Sequence, residues 1–173
     1  RLHVMLHAYM FTIRGIPVLY SGDEIVQEND YGYHCDAAKA GDSRWLHRGN
    51  MDWSVAEERF SLDTPAGRVF CGLRALERTR AGHRVFNGEA DVWLIDTKDN
   101  GVLGIGRYYH GEKLVALFNF SETNKTISVD ELGDFVDLLT GRPVDKSTVT
   151  VPSGGFIWMG CDFTGGGGGN EDD

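Results

Sequence analysis

Apolar residues at helical spacing mark the start of the chain. They form two stripes, one through Leu2, Leu6, Tyr9 and Ile13 and the other through Val4, Ala8 and Phe11. A helix that is apolar on two sides packs between neighbours, so we predict a buried helix over residues 2–13. Five apolar residues, 16–20, then follow between Gly15 and Gly22. A continuous run of that length predicts a strand buried on both faces, as in a parallel sheet.

The next segment, residues 21–63, has no sustained hydrophobic period and is rich in glycine, aspartate, asparagine and histidine. Loops of this length in a compact domain are usually functional or disordered. Four aromatic residues are interleaved with the polar ones: Tyr31, Tyr33, Trp45 and Trp53. Since sugar sites combine aromatic faces with polar groups, this mixture favours an ordered functional loop.

A second helix is predicted after this loop. Thr64 is suited to the N-cap and Pro65 to the first helical position. Gly82 supplies the stop signal at the other end. The predicted buried stripe consists of Val69, Leu73 and Leu76.

Beyond residue 85 the pattern changes to short strands separated by turn residues. The predicted strands are Val92–Thr97, Val102–Tyr109, Leu114–Phe120, Thr126–Val129, Phe135–Leu139, Thr148–Val151 and Phe156–Met159. Asn100-Gly101 is a strong two-residue hairpin signal, and residues 110–112 and 140–143 are further turns. Strands at this spacing predict an antiparallel sandwich. From Cys161 on, five consecutive glycines and an acidic end predict a disordered tail, residues 161–173.

Composition narrows the classes of partner. The chain has 173 residues, 41% hydrophobic and 25% charged, as in ordinary soluble proteins. Its formal net charge of −9 disfavours nucleic acid and anionic membranes but not a neutral sugar. The three cysteines lack C-x-x-C spacing, which favours free thiols in a reducing compartment. We therefore expect a cytoplasmic location, although the chain starts within a helix and any signal peptide would lie upstream of it.

The glycine-bounded strand carries a recognisable motif. Gly15, Pro17, Tyr20 and the triplet Gly22-Asp23-Glu24 match the G-x-P-x-x-Y-x-G-D-E string of the last barrel strand in family 13 of the glycoside hydrolases, the α-amylase family. Four later segments resemble the amylosucrase branch of that family: Asn29-Asp30, Asp42-Ser43-Arg44-Trp45, His47-Arg48 and Asn119-Phe120-Ser121-Glu122. The resemblance covers residues 1 to about 160.

This resemblance implies an α/β plus all-β architecture. The last helix–strand–helix portion of a TIM (β/α)8 barrel, with the long loop after strand 8, would occupy residues 1–84. A C-terminal β-sandwich, called domain C, would occupy residues 85–160. The barrel's earlier strands, with the nucleophile and general acid, would then lie upstream. We expect the chain alone to be inactive and to expose Ile16, Val18 and Leu19, which favours aggregation or self-pairing.

Asp23 and Glu24 invite a reading as an acid/base pair. Retaining hydrolysis needs two carboxyl groups about 5 Å apart across one bond. Adjacent residues on extended backbone point to opposite faces, so these two are better explained as support for the strand end. We predict that Gly22, Asp23, Glu24, Trp45 and Arg48 support the loop, with stacking on a sugar the alternative for Trp45.

Arg44 is the predicted substrate-binding residue, mainly because the resemblance places an arginine there that reaches the bottom of the pocket and pairs with a carboxylate. A guanidinium offers several coplanar donors to sugar hydroxyls and carboxylates. The alternative is a loop arginine bonded to Asp42 or to a backbone carbonyl. His34 and His47 match no zinc spacing, and Asp30, Asp36 and Asp42 lack that of a calcium loop. We therefore predict neither metal nor cofactor.

The function implied by the resemblance is transfer of glucose from sucrose to an α-glucan with release of fructose. Sucrose hydrolase, trehalose synthase and α-glucosidase are alternatives within the enzyme class. A non-catalytic carbohydrate-binding or transporter-associated relative is the alternative outside it. Asn119 and Asn124 also match the glycosylation acceptor pattern, which matters only in a secreted eukaryotic chain.

Overall fold

The computed structural model describes residues 1–162, so the predicted tail lies outside the described residues from residue 163 on. The helices are α1 (Leu2–Thr12), α2 (Trp53–Glu57) and α3 (Pro65–Gly82). The strands are β1 (Asp91–Ile95), β2 (Val102–Tyr109), β3 (Glu112–Asn119), β4 (Lys125–Ile127), β5 (Phe135–Asp137), β6 (Pro143–Val144), β7 (Val149–Val151) and β8 (Phe156–Asp162). Short 3-10 turns lie at Asp23–Ile25, Tyr31–Cys35, Ser43–His47, Glu58–Phe60 and Arg84–Phe86.

Two compact units make up the chain. One contains residues 1–17 and the chain from Ala75 on, and the other contains residues 18–74. The cuts fall within the extended segment after α1 and within α3. Neither coincides with the predicted domain boundary between residues 84 and 85.

The first unit is built on antiparallel sheet. Its large sheet has the order β1-β2-β3-β8-β5-β6, and β4 pairs with β7 in a second, two-stranded sheet. Every described pairing is antiparallel. Residues from both sheets share one buried cluster that includes Val115, Leu117, Met159, Ile127 and Val149. The two sheets therefore form the layers of a sandwich, as the spacing of the predicted short strands indicates.

The hairpin between β2 and β3 is the tightest turn of the sandwich. Tyr109 pairs with Glu112, which leaves only His110 and Gly111 between the strands. Both have positive φ, 44° and 86°, as a two-residue turn of this hand requires. Asn100-Gly101, the predicted two-residue turn, instead ends a longer loop, because β1 stops at Ile95 and Thr97 Oγ1 donates 2.8 Å to the Val102 carbonyl.

Seven of the strands overlap the predicted runs, with ends that differ by up to three residues, and β6 was not predicted. β6 falls where the pattern predicts a turn, since a two-residue strand is too short to show a period. β8 continues to Asp162, two residues into the segment predicted as a tail, because Cys161 and Asp162 still pair with Lys113 and Glu112 on β3.

One glycine in β2 makes room for an aromatic ring on the neighbouring strand. Gly106 pairs with Trp93 of β1. A side chain on Gly106 would bring its Cβ to 2.1 Å from the indole ring. The indole Nε1–H then donates 3.2 Å to Glu131 Oε1. Trp93 thus joins the edge strand to the loop after β4.

Helix α1 covers the other face of the large sheet. The Tyr9 ring packs edge-on against Phe118, with centroids 5.7 Å apart, and Trp158 Nε1 donates 2.9 Å to Thr12 Oγ1. Phe86 stacks at a tilt on Trp158 at 4.8 Å. The expectation of burial on two sides of α1 is wrong for the described residues. Its buried residues are Met5, Ala8, Phe11 and Thr12, while Leu2 and Leu6 are exposed.

Residues 16–20 do not form the predicted buried strand. Among the described residues nothing pairs with them, and Ile16 and Val18 are 91% and 75% exposed. A single strand has no partner for its backbone groups, so an extended segment without neighbours stays outside any sheet. Exposure of Ile16 and Val18 is the expected consequence, although Leu19 is only partly exposed.

Helix α3 begins and ends where the sequence predicts. The Gly67 N–H donates 3.0 Å to Thr64 Oγ1, the bond expected of an N-cap threonine. Val69, Leu73 and Leu76 are all buried, at 7%, 1% and 0% exposure. The predicted stripe is therefore the one that packs.

A buried arginine connects α1 to the sheet. Arg107 on β2 is fully buried, and its guanidinium donates to the carbonyls of Thr12, Val85 and Asn87. Burial, followed by the charges of Arg80 and Arg14, lowers the pKa of Arg107 to about 10. The side chain is therefore still charged at neutral pH, held by carbonyl oxygens rather than by a carboxylate.

Replacing Arg107 by methionine is expected to lower the free energy of unfolding by about 3 kcal/mol, because three hydrogen bonds to buried carbonyls are lost. Denaturant unfolding followed by tryptophan fluorescence measures this. Arg142→Met is the control, since Arg142 is exposed and its side chain contacts no described residue. Equal effects of the two substitutions would contradict the assigned role.

A second prediction concerns Asn119, which is fully buried and donates 2.8 Å to the Thr123 carbonyl and 2.9 Å to the Val151 carbonyl. Asn119→Asp should cost about 2 kcal/mol or more of unfolding free energy, because a carboxylate would face two carbonyl oxygens. Asn124→Asp is the control, since the Asn124 side chain only accepts, from the Ser153 N–H. An Asn119→Asp variant with an unchanged free energy of unfolding would contradict this prediction.

Candidate functional site

The predicted functional loop lies in the second unit and is a series of short turns capped by aspartates. Each capping carboxylate accepts a hydrogen bond from an N–H two residues ahead, as in an Asx turn. The pairs are Asp30 with Gly32, Asp36 with Ala38, Asp42 with Arg44 and Asp52 with Ser54, at 2.9–3.0 Å. These local bonds explain why a segment rich in aspartate and glycine adopts turns rather than long helices.

Longer-range contacts hold the turns together. The Asp30 N–H donates 2.8 Å to the Leu46 carbonyl, and Asn29 Oδ1 lies 3.0 Å from His47 Nδ1. Gln27 Nε2 donates 3.1 Å to the Gly49 carbonyl. The loop is therefore closed on itself across about twenty residues of sequence.

The Gly22-Asp23-Glu24 triplet forms the entrance to this loop. Gly22 has φ = 103°, a conformation that glycine adopts at little cost, and its N–H donates 2.8 Å to Glu24 Oε2. Asp23 and Glu24 lie in the 3-10 turn that follows. The Glu24 contact is of the kind expected for a supporting carboxylate, and the supporting roles of the three residues stay predictions.

Arg44 lies in the 3-10 turn Ser43–His47, with a side chain that is 71% exposed. Its Nε donates 2.8 Å to Asp42 Oδ1, and its Nη2 donates 2.7 Å to Asp42 Oδ2. This is the parallel two-bond geometry of a strong arginine–carboxylate pair. The hydrogen bond from Arg44 lowers the pKa of Asp42 to about 2, and the pair raises the pKa of Arg44.

Trp45 and Arg48 flank this pair. Trp45 is partly buried, and Lys39 Nζ lies 5.0 Å from the centroid of its ring. Arg48 is exposed, and its N–H donates 3.1 Å to the Trp45 carbonyl. The structure thus places Arg44 and Trp45 in one turn, with Arg48 as the residue that follows it.

A cleft of about 570 Å³ also lies within the second unit. Its lining is apolar at Ile25, Val55 and Ala66, and its polar residues include Gln27, Asn50, Glu28, Asp30, Asp52 and Glu58. The cleft has the mixed lining and size of small-molecule sites, and it contains no lysine or arginine.

Sequence reasoning missed Gln27 and Asn50, which line this cleft. The Gln27 Oε1 atom is buried without a hydrogen-bond partner among the described residues. No spacing pattern reveals such residues, because contacts across more than twenty positions bring them together. In this loop, only the capping aspartates could be recognised from their neighbours in the sequence, as residues that favour turns.

Residues 1–162 were predicted to hold neither a metal site nor a membrane span. That part of the chain contains no group of three or more histidine, cysteine, aspartate or glutamate side chains placed to hold a metal ion. No helix within it has the length and apolar character needed to cross a membrane.

Comparison with known proteins shows which solved structures share the fold of this chain. No protein-family model matches the sequence. A maltogenic amylase from S. marinus matches with a TM-score of 0.64 and 20% identity, over 93% of this chain and 20% of that one. A trehalose-6-phosphate hydrolase from Bacillus licheniformis matches with a TM-score of 0.63 and 19% identity, over 92% of this chain and 38% of that one.

A cyclic α-maltosyl-(1→6)-maltose hydrolase from Arthrobacter globiformis matches with a TM-score of 0.65 and 18% identity, over 93% of this chain and 31% of that one. The chain therefore spans between 20% and 38% of the length of these three enzymes. At this identity the likeness shows a shared fold, that of part of an amylase and two sugar hydrolases.

The pairing of Asp42 with Arg44 predicts how the Asp42 carboxyl responds to pH. The pKa of Asp42 is lowered from 3.8 to about 2 in the folded chain. A carboxyl with a depressed pKa contributes stability above its unfolded pKa, and that contribution is lost as the pH falls through the folded value. We therefore expect the pKa of Asp42 to be about 2 by carboxyl NMR and to be higher in Arg44→Ala, which removes the side-chain hydrogen bond but keeps the backbone one.

If the Asp42 midpoint were the same in Arg44→Ala as in the unchanged chain, the pair would not form in solution.

Proposed function

We propose that this chain is the C-terminal part of an α-amylase-family enzyme that acts on α-glucosides. The observation that carries the proposal is the fold shared over at least 92% of the chain with an amylase and two sugar hydrolases. The sequence motifs at residues 15–24 agree with it independently of the fold. The division into an end portion of a barrel, residues 1–84, and a sandwich, residues 85–160, is part of the proposal.

The finer proposal is an amylosucrase-like reaction. The bond between glucose and fructose in sucrose breaks, a glucosyl–enzyme bond forms with retention in two steps, and a glucan hydroxyl then takes the glucosyl group. Fructose leaves with the proton supplied by a general acid. The nucleophile and that acid are expected upstream of this chain, so the chain alone is expected to be inactive.

Arg44 is the residue of this chain that we assign to the substrate. It is exposed and belongs to a turn whose geometry is fixed by hydrogen bonds. Asp42 engages its Nε and Nη2, and the side chain is 71% exposed. Gly22, Asp23, Glu24, Trp45 and Arg48 are assigned to support of the loop. The partners we propose are neutral sugars, sucrose or an α-glucan, in the cytoplasm and without a cofactor.

Two groups of alternatives stay open. Sucrose hydrolase differs from the main proposal in its acceptor, which is water, and trehalose synthase and α-glucosidase are further alternatives within the enzyme class. A non-catalytic carbohydrate-binding or transporter-associated relative would lack the upstream carboxylates altogether. The named functions of the three matched structures, an amylase and two hydrolases, favour the enzyme class.

The test is sugar release from sucrose by the longer protein that contains this chain, with this chain alone as control. We expect more fructose than glucose, because glucosyl groups pass to a glucan acceptor. Equal amounts would indicate a hydrolase that uses water. No turnover by the longer protein would overturn the sucrose proposal, and turnover by this chain alone would overturn the upstream position of the carboxylates.

Arg44→Ala in the longer protein should lower kcat/KM for sucrose at least about tenfold, as expected when a charged hydrogen bond to substrate is lost. Arg44→Lys should recover only part of this, because lysine lacks the planar donor fork. Arg142→Ala, an exposed change in the sandwich, controls for loss of charge. Unchanged kcat/KM in Arg44→Ala would remove Arg44 from the site.

A further inference from the structure

Two Asn-Gly pairs lie in the first unit, Asn87-Gly88 before β1 and Asn100-Gly101 before β2. In such a pair the unhindered glycine nitrogen can attack the side-chain carbonyl carbon of the asparagine and expel ammonia. The nitrogen must first lose its proton, and the negative charge is then shared with the carbonyl oxygen of the same peptide group. Hydrogen bonds at this N–H and at the two carbonyl oxygens therefore decide which pair reacts.

At Asn87, both oxygens that gain negative charge already accept hydrogen bonds. The main-chain carbonyl of Asn87 accepts from Arg107 Nη2 at 2.6 Å and from the Ala90 N–H at 3.1 Å. The side-chain Oδ1 of Asn87 accepts the Glu89 N–H at 2.9 Å. Burial lowers the pKa of Arg107 to about 10, so this donor is still charged at neutral pH. Donors fixed at an oxygen where charge develops lower the barrier, and these contacts therefore favour attack by the Gly88 nitrogen.

The opposite arrangement holds at Asn100. The Gly101 N–H donates 2.8 Å to Asp99 Oδ1, whereas the Gly88 N–H makes no hydrogen bond within residues 1–162. The hydrogen bond from Lys125, at 2.9 Å, and then that from Gly101 lower the pKa of Asp99, which is therefore charged at neutral pH. A carboxylate that accepts an N–H makes removal of that proton harder, because two negative charges would then be adjacent.

We propose that Asn87 is a site of spontaneous deamidation and that Asp99 protects Asn100 from the same reaction. The Gly88 nitrogen gives up its proton and bonds to Asn87 Cγ, while the Cγ–Nδ2 bond breaks and Nδ2 takes up a proton and leaves as ammonia. Water then opens the cyclic imide to give aspartate or isoaspartate at position 87. One water is consumed, one ammonia is released, and nothing is oxidised or reduced. The product places a carboxylate beside the carbonyl that Arg107 binds.

The experiment is a slow incubation of the longer protein that contains this chain, at neutral pH, followed by trypsin digestion and mass spectrometry. Trypsin separates the two pairs, since residues 85–98 carry Asn87 and residues 99–107 carry Asn100. Exchange of an amide for an acid raises the mass of its peptide, so each site has its own measured rate. The same protein unfolded in urea gives the rate of each site without the native hydrogen bonds.

The expected result is a ratio of folded to unfolded rate that is about tenfold or more higher at Asn87 than at Asn100, a modest effect for fixed donors and charges. In Asp99→Ser the folded rate at Asn100 should rise and that at Asn87 should stay the same. Asp96→Ser is the matched control, because Asp96 also accepts an N–H two residues ahead, from Lys98, and the loss of charge is equal.

Equal ratios at the two sites, or a higher ratio at Asn100, would overturn the proposal, and this comparison in the unchanged protein needs no variant to fold. No rise at Asn100 in Asp99→Ser, or an equal rise in Asp96→Ser, would overturn the role of Asp99.

Gly88→Ala tests the route of the reaction. Apart from its chain neighbours, a Cβ at position 88 would have no heavy atom within 4 Å, so the fold has room for it. The methyl group hinders the attacking nitrogen, so the rate at Asn87 should fall severalfold. An unchanged rate would overturn attack by the Gly88 nitrogen. None of these rates depends on sucrose cleavage, so failure of the proposed function and failure of this proposal are separate outcomes.

Discussion

The first unit depends on the way one buried cation satisfies the backbone around it. Helix α1 ends without a basic residue in its last turn, so its final carbonyls need partners from elsewhere. Arg107 donates to the Thr12 carbonyl, and Arg80 donates 2.6 Å to the Phe11 carbonyl. Positive charge at a helix C-terminus is favourable, which offsets part of the cost of burying Arg107. The same side chain also bonds Val85 and Asn87, and thereby joins helix, turn and sheet.

The strands of the sandwich were predictable because short apolar runs and the turn residues between them lie close together in the sequence. Alternating residues of β2 and β3 face two different layers, and both faces are covered, so β3 is buried without a break from Leu114 to Asn119. Turn chemistry is local too, which is why Gly111 marks a hairpin. The sequence pattern does not reveal Arg107 as the centre of the unit. A charged residue in a strand is expected to face solvent unless the buried carbonyls around it are known.

The candidate site was predictable in its members but not in its arrangement. Resemblance and residue type single out Arg44, and its pairing with Asp42 was one of two alternatives at the sequence level. The cleft was not predictable, because Gln27 meets Gly49 and Asp30 meets Leu46 across an aperiodic loop. The prediction of a buried strand at residues 16–20 was wrong for a related reason. A hydrophobic run predicts that a segment will be buried only when some other element is there to cover it.

Arg107 and Arg44 show how surroundings decide what an arginine does. Arg107 is fully buried, and each of its three guanidinium nitrogens is bonded to a carbonyl inside the protein, so it is not accessible to a ligand. Arg44 is bonded to a carboxylate through Nε and Nη2, and its side chain is 71% exposed. Burial lowers the pKa of the first, whereas the ion pair raises the pKa of the second. Burial and internal hydrogen bonds therefore distinguish the two arginines as candidate binding residues, because their charge and residue type are the same.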